Sequence, residues 1–455
     1  MLTFESVSWW YTILRYAQLL SVLILLPMLI TMGTGCSSPA AQVVTTSSST
    51  QPTTTTLTTE STAVTSSTSS ETTTPTSIST NITAPAILQI PEETLNSHFG
   101  FGYDTSWVHA TDCVQEEADL GIKWEQGLPG PFSWYLVEKE KGNYDWSKAD
   151  QYVQQIQQYG FAIVSTIWPF TDWDQASWAP LPTKPQGSVL QELGKGRRKP
   201  YDMNAYMSFV SAMVERYDGD GTNDMPGLIY PIKYWEPCDE PHLKPYFDGT
   251  PQDYLEVLRA SYEAIKKADS GAKVLFAAVD VEGSFIKPIL EEGAEYFDIA
   301  NVHCLSNNVN FWVPELRNLL SSYGINKPIW VTTAEFQIGR YLFDNYISLE
   351  SQGQLLAKGS VTAFAYGADK IFNDWFRAPQ TGDPRWPAEV TARFQSAALI
   401  DENGVKRPAY YALVTMIRKI EGFTSAEKLA EGRFRFKIGD KNIYAMWDSV
   451  TLPHS

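Results

Sequence analysis

From His98 to Phe423 the chain alternates between two rhythms. Short runs rich in β-branched and aromatic residues occur at 98–104, 121–126, 161–168, 232–240, 273–279, 298–304, 328–335 and 369–376. Between and after them lie runs with apolar residues at helical spacing, which include 147–159, 205–217, 252–268, 311–323, 349–365 and 408–421. Their ends carry helix punctuation. Thr250-Pro251 offers an N-cap and a first-turn proline, and Gly160 and Gly324 stand where a left-handed C-cap belongs. Eight strand signals, each followed by a helix, in roughly 325 residues have the size and rhythm of an α/β chain closed into a (β/α)8 barrel. An open doubly wound sheet is the second architecture, disfavoured because no glycine-rich phosphate loop follows the first strand. After the last helix, 432–447 (GRFRFKIGDKNIYAMW) predicts a short C-terminal β-hairpin turning near Gly439-Asp440. Two strands alone are marginal in water, so the hairpin is expected to pack on the barrel or on a partner.

Upstream of the barrel this rhythm is lost. In residues 1–36, Arg15 precedes an uncharged stretch from Tyr16 to Cys36, centred on Leu19-Leu20-Ser21-Val22-Leu23-Ile24-Leu25-Leu26 and ending Gly33-Thr34-Gly35-Cys36. Small residues before a Cys, followed by Ser37-Ser38, resemble a lipoprotein processing site with Cys36 as the lipidated residue. The leucine usual three places before that Cys is Gly33 here. An uncleaved signal anchor is the other reading, since roughly 20 apolar residues also span a bilayer. Both place the remainder on the extracellular face, tethered to the membrane. Residues 37–91 are mostly Thr, Ser and Pro, too poor in apolar area to offset chain entropy, and predict a disordered stalk. Asn81-Ile82-Thr83 within it matches an N-glycosylation acceptor. The domain reading is a leader or anchor over 1–36, a linker over 37–91, the barrel over 92–425 and a β extension over 426–455.

Composition narrows the function classes. The net charge is −17 and the one dense basic run is Lys195-Gly196-Arg197-Arg198-Lys199, so the surface repels phosphate backbones and nucleic acid is not an expected partner. That run reads as a solvated loop on the active face, with contact to an acidic sugar as the lesser reading. The 15 tryptophans suit a protein that stacks flat rings against something, although large cores use them too. Cys36, Cys113, Cys238 and Cys304 form no CxxC pair, so no structural zinc is expected. With Cys36 lipidated, at most one disulfide forms among the other three.

The candidate chemistry lies at two strand ends. In such a barrel reactive groups sit where the strands finish at their carboxyl ends. Strand four ends in Trp235-Glu236-Pro237-Cys238-Asp239-Glu240-Pro241, and strand seven in Thr333-Ala334-Glu335-Phe336. Glu240 and Glu335 are three βα units apart, on strands that face each other obliquely across a closed barrel. Carboxyl groups there can approach to about 5–5.5 Å, the separation that retaining glycoside hydrolysis requires. One acid must carry a proton for the leaving oxygen and the other must be ionised to attack the anomeric carbon.

The segment IKYWEPCDEPHL, with GTPQDYLEVLRASYEAIKKADSGAKVLFAA after it, resembles the strand-four signature of clan A glycoside hydrolases. Within the clan it is most similar to the β-xylosidase and α-iduronidase type. The likeness extends over about 98–423 through GNYDWSKADQYVQQIQQYGF, FDIANVHC, PIWVTTAEF and KIFNDWF. It implies a retaining TIM-barrel hydrolase of β-linked oligo- or polysaccharides, with Glu240 as acid/base, Glu335 as nucleophile and no organic cofactor. Three positions depart from the clan pattern. Asp239 replaces the Asn before the acid/base, Gln126 replaces a strand-two Arg that supports the nucleophile, and Leu305 stands near the place of a strand-six Tyr. Asp239 is expected to raise the pKa of Glu240 unless Asp239 is itself protonated.

Other residues join the candidate site. His303 ends strand six, and Trp375 ends strand eight, where an indole can stack on a sugar ring. Trp168, with Trp173 and Trp178, follows strand three as a lesser platform, and Asp239 and Gln126 complete the expected substrate contacts. Cys238, Cys304, His242 and His303 at the barrel mouth invite a metal, but Cys is commonly just a small buried residue, so no metal is expected. Asp218-Gly219-Asp220-Gly221-Thr222-Asn223-Asp224 imitates a calcium loop, but Ile229 stands where the bidentate Glu belongs, so a surface turn is favoured. The rival to an enzyme is a non-catalytic carbohydrate-binding surface lipoprotein on the same barrel. Either acid locked in an ion pair would favour that rival.

Overall fold

The computed structural model describes residues 87–102, 113–182, 193–277, 280–304, 311–338, 347–382 and 388–448. Cys36, Leu305, the leader and nearly all of the stalk lie outside the described residues. No helix among the described residues is long and apolar enough to cross a membrane.

Eight strands alternate with eight principal helices. They are β1 (Phe99–Gly102), α1 (Val114–Asp119), β2 (Trp124–Gln126), α2 (Ser147–Gln157), β3 (Ala162–Ile167), α3 (Met203–Tyr217), β4 (Tyr234–Pro237) and α4 (Pro251–Ala268). The second half follows as β5 (Lys273–Val274), α5 (Ile286–Glu292), β6 (Ala300–Cys304), α6 (Val313–Ser322), β7 (Ile329–Ala334), α7 (Leu349–Ala365), β8 (Ala368–Asp374) and α8 (Pro408–Ile420). The sheet order is β5-β4-β3-β2-β1-β8-β7-β6, and neighbouring strands run parallel. Its two ends meet. Leu275, just after β5, bridges Ile299, just before β6, and Phe276 N–H donates to Ile299 O at 2.8 Å. The sheet is therefore a closed (β/α)8 barrel, and the doubly wound alternative falls.

Local chemistry explains the element ends. The Thr250 hydroxyl accepts from Asp253 N–H while the Asp253 carboxylate accepts from Thr250 N–H, a reciprocal capping box that opens α4. Gly160 and Gly324 take φ of 85° and 70°, left-handed values that a Cβ would oppose.

Side chains alternate along each strand, so the barrel interior is layered. Its lower layer is aromatic, with Trp124, Tyr234, Trp330 and Phe372 in contact. Gly100 is needed beside it, since a Cβ there would lie 2.5 Å from the Phe372 ring. Two residues further along the strands the inward positions turn polar, as Gln126, Thr166, Glu236, Asn301, Thr332 and Asp374. This layer carries the site.

The C-terminal segment forms the expected hairpin and adds a strand to it. The hairpin β10 (Arg433–Ile438) and β11 (Lys441–Met446) is joined by a third antiparallel strand, β9 (Ser425–Ala430), on the other side of β10. The sequence SAEKLA hides this strand because its side chains are mostly exposed and show no buried-exposed alternation. Phe434 and Phe436 are buried, and Phe436 meets Phe364 and Phe423 edge to face. The small sheet thus packs on the barrel, as two strands alone would have required.

Candidate active site

After β4 the chain turns sharply. Cys238 and Glu240 both hold left-handed backbone, at φ 65° and 37°, and so does Trp375 after β8, at φ 60°. Each such non-glycine residue costs on the order of 1 kcal/mol or more, and in this barrel all three lie at the carboxyl ends of strands. Cys238 N–H donates to Ile167 O at 2.8 Å and pins the turn to β3. Glu335 follows β7, its N–H donating to Cys304 O at 2.9 Å. Glu240 and Glu335 are 6% and 2% exposed.

Each acid has a basic neighbour. Glu240 Oε1 lies 3.1 Å from His303 Nδ1. Glu335 is gripped by Arg393, whose Nη2 donates to Oε2 at 2.9 Å and Nε to Oε1 at 3.3 Å, and it also accepts from the Gln337 amide. Arg393 belongs to the Ala388–Ala397 helix, inserted between β8 and α8. Sequence reasoning missed it, because nothing in its spacing ties a helix after β8 to an acid on β7. Gln126, in the strand-two position of the clan's Arg, does not reach Glu335. It donates to Glu236 Oε2 at 2.6 Å and to Thr166 Oγ1 at 3.1 Å, in the polar layer.

Burial and charge act differently on three acids of the mouth. Burial pushes the Asp239 carboxyl well above the usual carboxylate range, against the pull of His303 and with help from Glu236 and Glu240. Burial also works to raise Glu240, but the hydrogen bond and charge of His303, with His242 and Arg393, outweigh it and hold Glu240 below its ordinary value. The two neighbouring carboxyls are thus driven apart, Asp239 upward and Glu240 downward. Asp374, at the end of β8, was also missed. It is fully buried and raised well above the ordinary value, first by burial and then by the charge of Glu335.

The aromatic candidates are placed differently from one another. Trp375 stacks on Phe394 from the Ala388–Ala397 helix, with ring centroids 3.3 Å apart and planes 20° from parallel. Trp168 is buried, donates to Pro129 O at 2.6 Å and stacks at 6.0 Å on Tyr246. Trp173 donates to Glu138 O, and Trp178 is partly exposed beside Tyr201.

The basic run is not a solvated loop throughout. Arg197 is buried, and its guanidinium donates to the carbonyls of Leu193, Gly194, Gly196 and Pro245. Burial lowers its pKa to about 10. A cation spent on loop carbonyls is not available to an acidic sugar.

Two groups of acids converge tightly enough to be tested for a metal. Atoms of Glu236, Asp239 and His303 lie within 4.8 Å of one another, and so do those of Asp218, Asp220 and Asp224. Neither donor set fits an ion well. Glu236 already accepts from Gln126, Thr166 and Asn301, and the Asp218–Asp224 carboxylates accept the backbone N–H groups of their own turn. Cys113, Cys238 and Cys304 are buried, and no disulfide joins them to one another.

The fold and the groups at its strand ends define a (β/α)8 barrel with paired acids at β4 and β7. No family model and no curated protein matches the chain. Solved structures do. A family 39 glycoside hydrolase from Bacteroides cellulosilyticus WH2 is 15% identical, covers 80% of this chain and 72% of its own, and has a TM-score of 0.57. A monomeric β-xylosidase from Caulobacter crescentus CB15 is also 15% identical, covering 81% and 76%, with a TM-score of 0.57. A family 30 subfamily 8 xylanase from Clostridium acetobutylicum is 15% identical, covering 79% and 81%, at 0.51. At these identities the likeness is one of fold, and the chain shares its barrel with these glycoside hydrolases.

Proposed function

We propose that this protein is a retaining glycoside hydrolase acting on β-linked oligo- or polysaccharides. The observation that carries the reading is the placement of Glu240 and Glu335 at the ends of β4 and β7, within reach of one cation. Arg393 grips Glu335, and its charge also acts on Glu240. The barrel's likeness to xylosidases and xylanases supports the same reading and makes β-xylosides the first substrates to try.

In the first half-reaction the Glu335 carboxylate attacks the anomeric carbon. The glycosidic C–O bond breaks, and a proton from Glu240 goes to the leaving oxygen. In the second, Glu240 takes a proton from water, whose oxygen displaces Glu335 and releases the sugar. A leader or anchor over 1–36 would hold the barrel on the outer face of the membrane, and this part rests on sequence alone.

The test is hydrolysis of aryl β-glycosides, xylan and other polysaccharides by the protein and two variants. Glu335→Gln is expected to lose turnover by at least about 10³-fold while keeping its fold. Glu240→Ala is expected to lose turnover and regain it with azide, which needs no general base. A Glu335→Gln variant as active as the parent would remove Glu335 from the mechanism.

A second reading, a non-catalytic carbohydrate-binding surface lipoprotein, is favoured by two observations. Glu335 is held in an ion pair, and one face of Trp375 is covered by Phe394. Saturable sugar binding with no turnover across the whole panel would select it.

A further inference from the structure

Hydrogen bonds inside the barrel have a direction, and that direction reaches Glu240. The Thr332 backbone N–H donates to Asn301 Oδ1 at 3.2 Å, so this corner of the amide is its oxygen, and Nδ2 donates to Glu236 Oε1 at 2.6 Å. An amide oxygen only accepts. The Thr332 hydroxyl, 2.8 Å from it, therefore spends its single proton there. The same hydroxyl oxygen lies 3.0 Å from His303 Nε2 and has only lone pairs left to offer, so Nε2 carries a hydrogen. On the far side of the ring, Nδ1 faces Glu240 Oε1 at 3.1 Å.

One further proton fits between those two atoms. We propose that Glu240 and His303 act as one titrating unit, sharing a single proton between Oε1 and Nδ1, with His303 as the positioning residue that keeps it there. On Nδ1 the pair is an imidazolium with a carboxylate; on Oε1 it is a neutral imidazole with a carboxylic acid. This deepens the hydrolase reading and rests on it. As the glycosidic bond breaks, the carboxyl O–H bond breaks and a new O–H bond forms at the leaving oxygen, with His303 keeping its Nε2 hydrogen. Water returns the proton to the unit in the second half-reaction, so the cycle balances.

The surroundings fit such a unit. From the β4 end, Asp239 lies 3.5 Å from Nε2, and Glu236 receives the far end of the chain of hydrogen bonds. From β7 comes Glu335, from β8 Asp374, and from the Ala388–Ala397 helix Arg393; His242 also bears on Glu240. Burial acts to lower His303, and the charge of Asp239, followed by the hydrogen bond and charge of Glu240, outweighs that and raises it.

Imidazole 15N NMR of the full chain, labelled at histidine, tests the pairing without needing turnover. There are five histidines, so His303 is assigned by the signal lost in His303→Gln. The expected result is an Nε2 that stays protonated throughout, and a titration above the ordinary imidazole value of about 6.5. In Glu240→Gln that titration should fall by about one unit or more, tenfold in proton affinity. In Thr332→Val the neutral ring should lose its fixed tautomer, which keeps the test alive if Glu240→Gln folds poorly. Equal titrations in parent and Glu240→Gln, or a neutral ring protonated on Nδ1, would overturn the proposal. If the coupling is seen but no glycoside is cut, the hydrolase reading fails and the pair stands. If turnover is azide-rescued in Glu240→Ala without coupling, the pair alone fails.

Discussion

Asp239 and Glu240 are adjacent in sequence yet are driven in opposite directions, because a buried carboxyl responds to what faces it. The same principle acts far from the site, at Glu117 on α1. Its carboxyl is fully buried with the Cys113 thiol donating to it at 3.2 Å, and burial raises its pKa from 4.5 to about 7. The folded state therefore holds a proton that the unfolded chain releases between those values. Stability contributed by this group is present below pH 4.5 and lost as pH rises to about 7, a loss of about 3 kcal/mol. Glu117→Gln should thus raise the melting temperature at pH 8 and leave it nearly unchanged at pH 4. Thermal unfolding at the two pH values checks this, and equal shifts at both would show that Glu117 titrates normally.

At the scale of elements, what was legible was whatever a strand or helix announces within its own length. Period and caps located all eight barrel strands and α2, α3, α4, α6, α7 and α8, and Glu240, Glu335 and His303 stood out as candidates because each lies at or near the end of a strand. Arg393 and Asp374 were not found. The first depends on a helix folding back over β7, and the second on which wall of the barrel Asp374 faces. Gln126 was recognised as a departure, but its partner Glu236 emerges only from the packing of β2 beside β3 and β4. Strand β9 was missed because its pairing with β10 is made by backbone, which side-chain pattern does not report. That small sheet is secured by Phe434 and Phe436 on β10. Phe436→Ala should cost about 3–5 kcal/mol, the range for removing a buried Phe. Denaturant unfolding would measure it, and a loss under about 1 kcal/mol would mean that the sheet is not anchored through this ring.

In the molecule as a whole, the barrel supplies the two acids while a helix outside the eight-fold repeat supplies the cation that grips one of them, Glu335. The Ala388–Ala397 helix is tied down at its end: Ile338 N–H donates to Ser396 O at 3.0 Å and the Gln352 amide to Ala397 O at 2.9 Å. A sugar ring that stacks on the face of Trp375 now covered by Phe394 must first part those rings. Occupancy of Trp375 then becomes a matter of population as well as contact. If only a fraction of molecules has that face open, the apparent dissociation constant is the intrinsic one divided by that fraction. Phe394→Ala should remove this gate, tightening sugar binding several-fold and turning a saturating observed binding rate into one linear in ligand. Weaker binding in that variant would instead make Phe394 part of the sugar's own platform. In the hydrolase reading, the stacking of Phe394 on Trp375 would then set how often that face is open to a sugar, independently of how fast the carboxylates act.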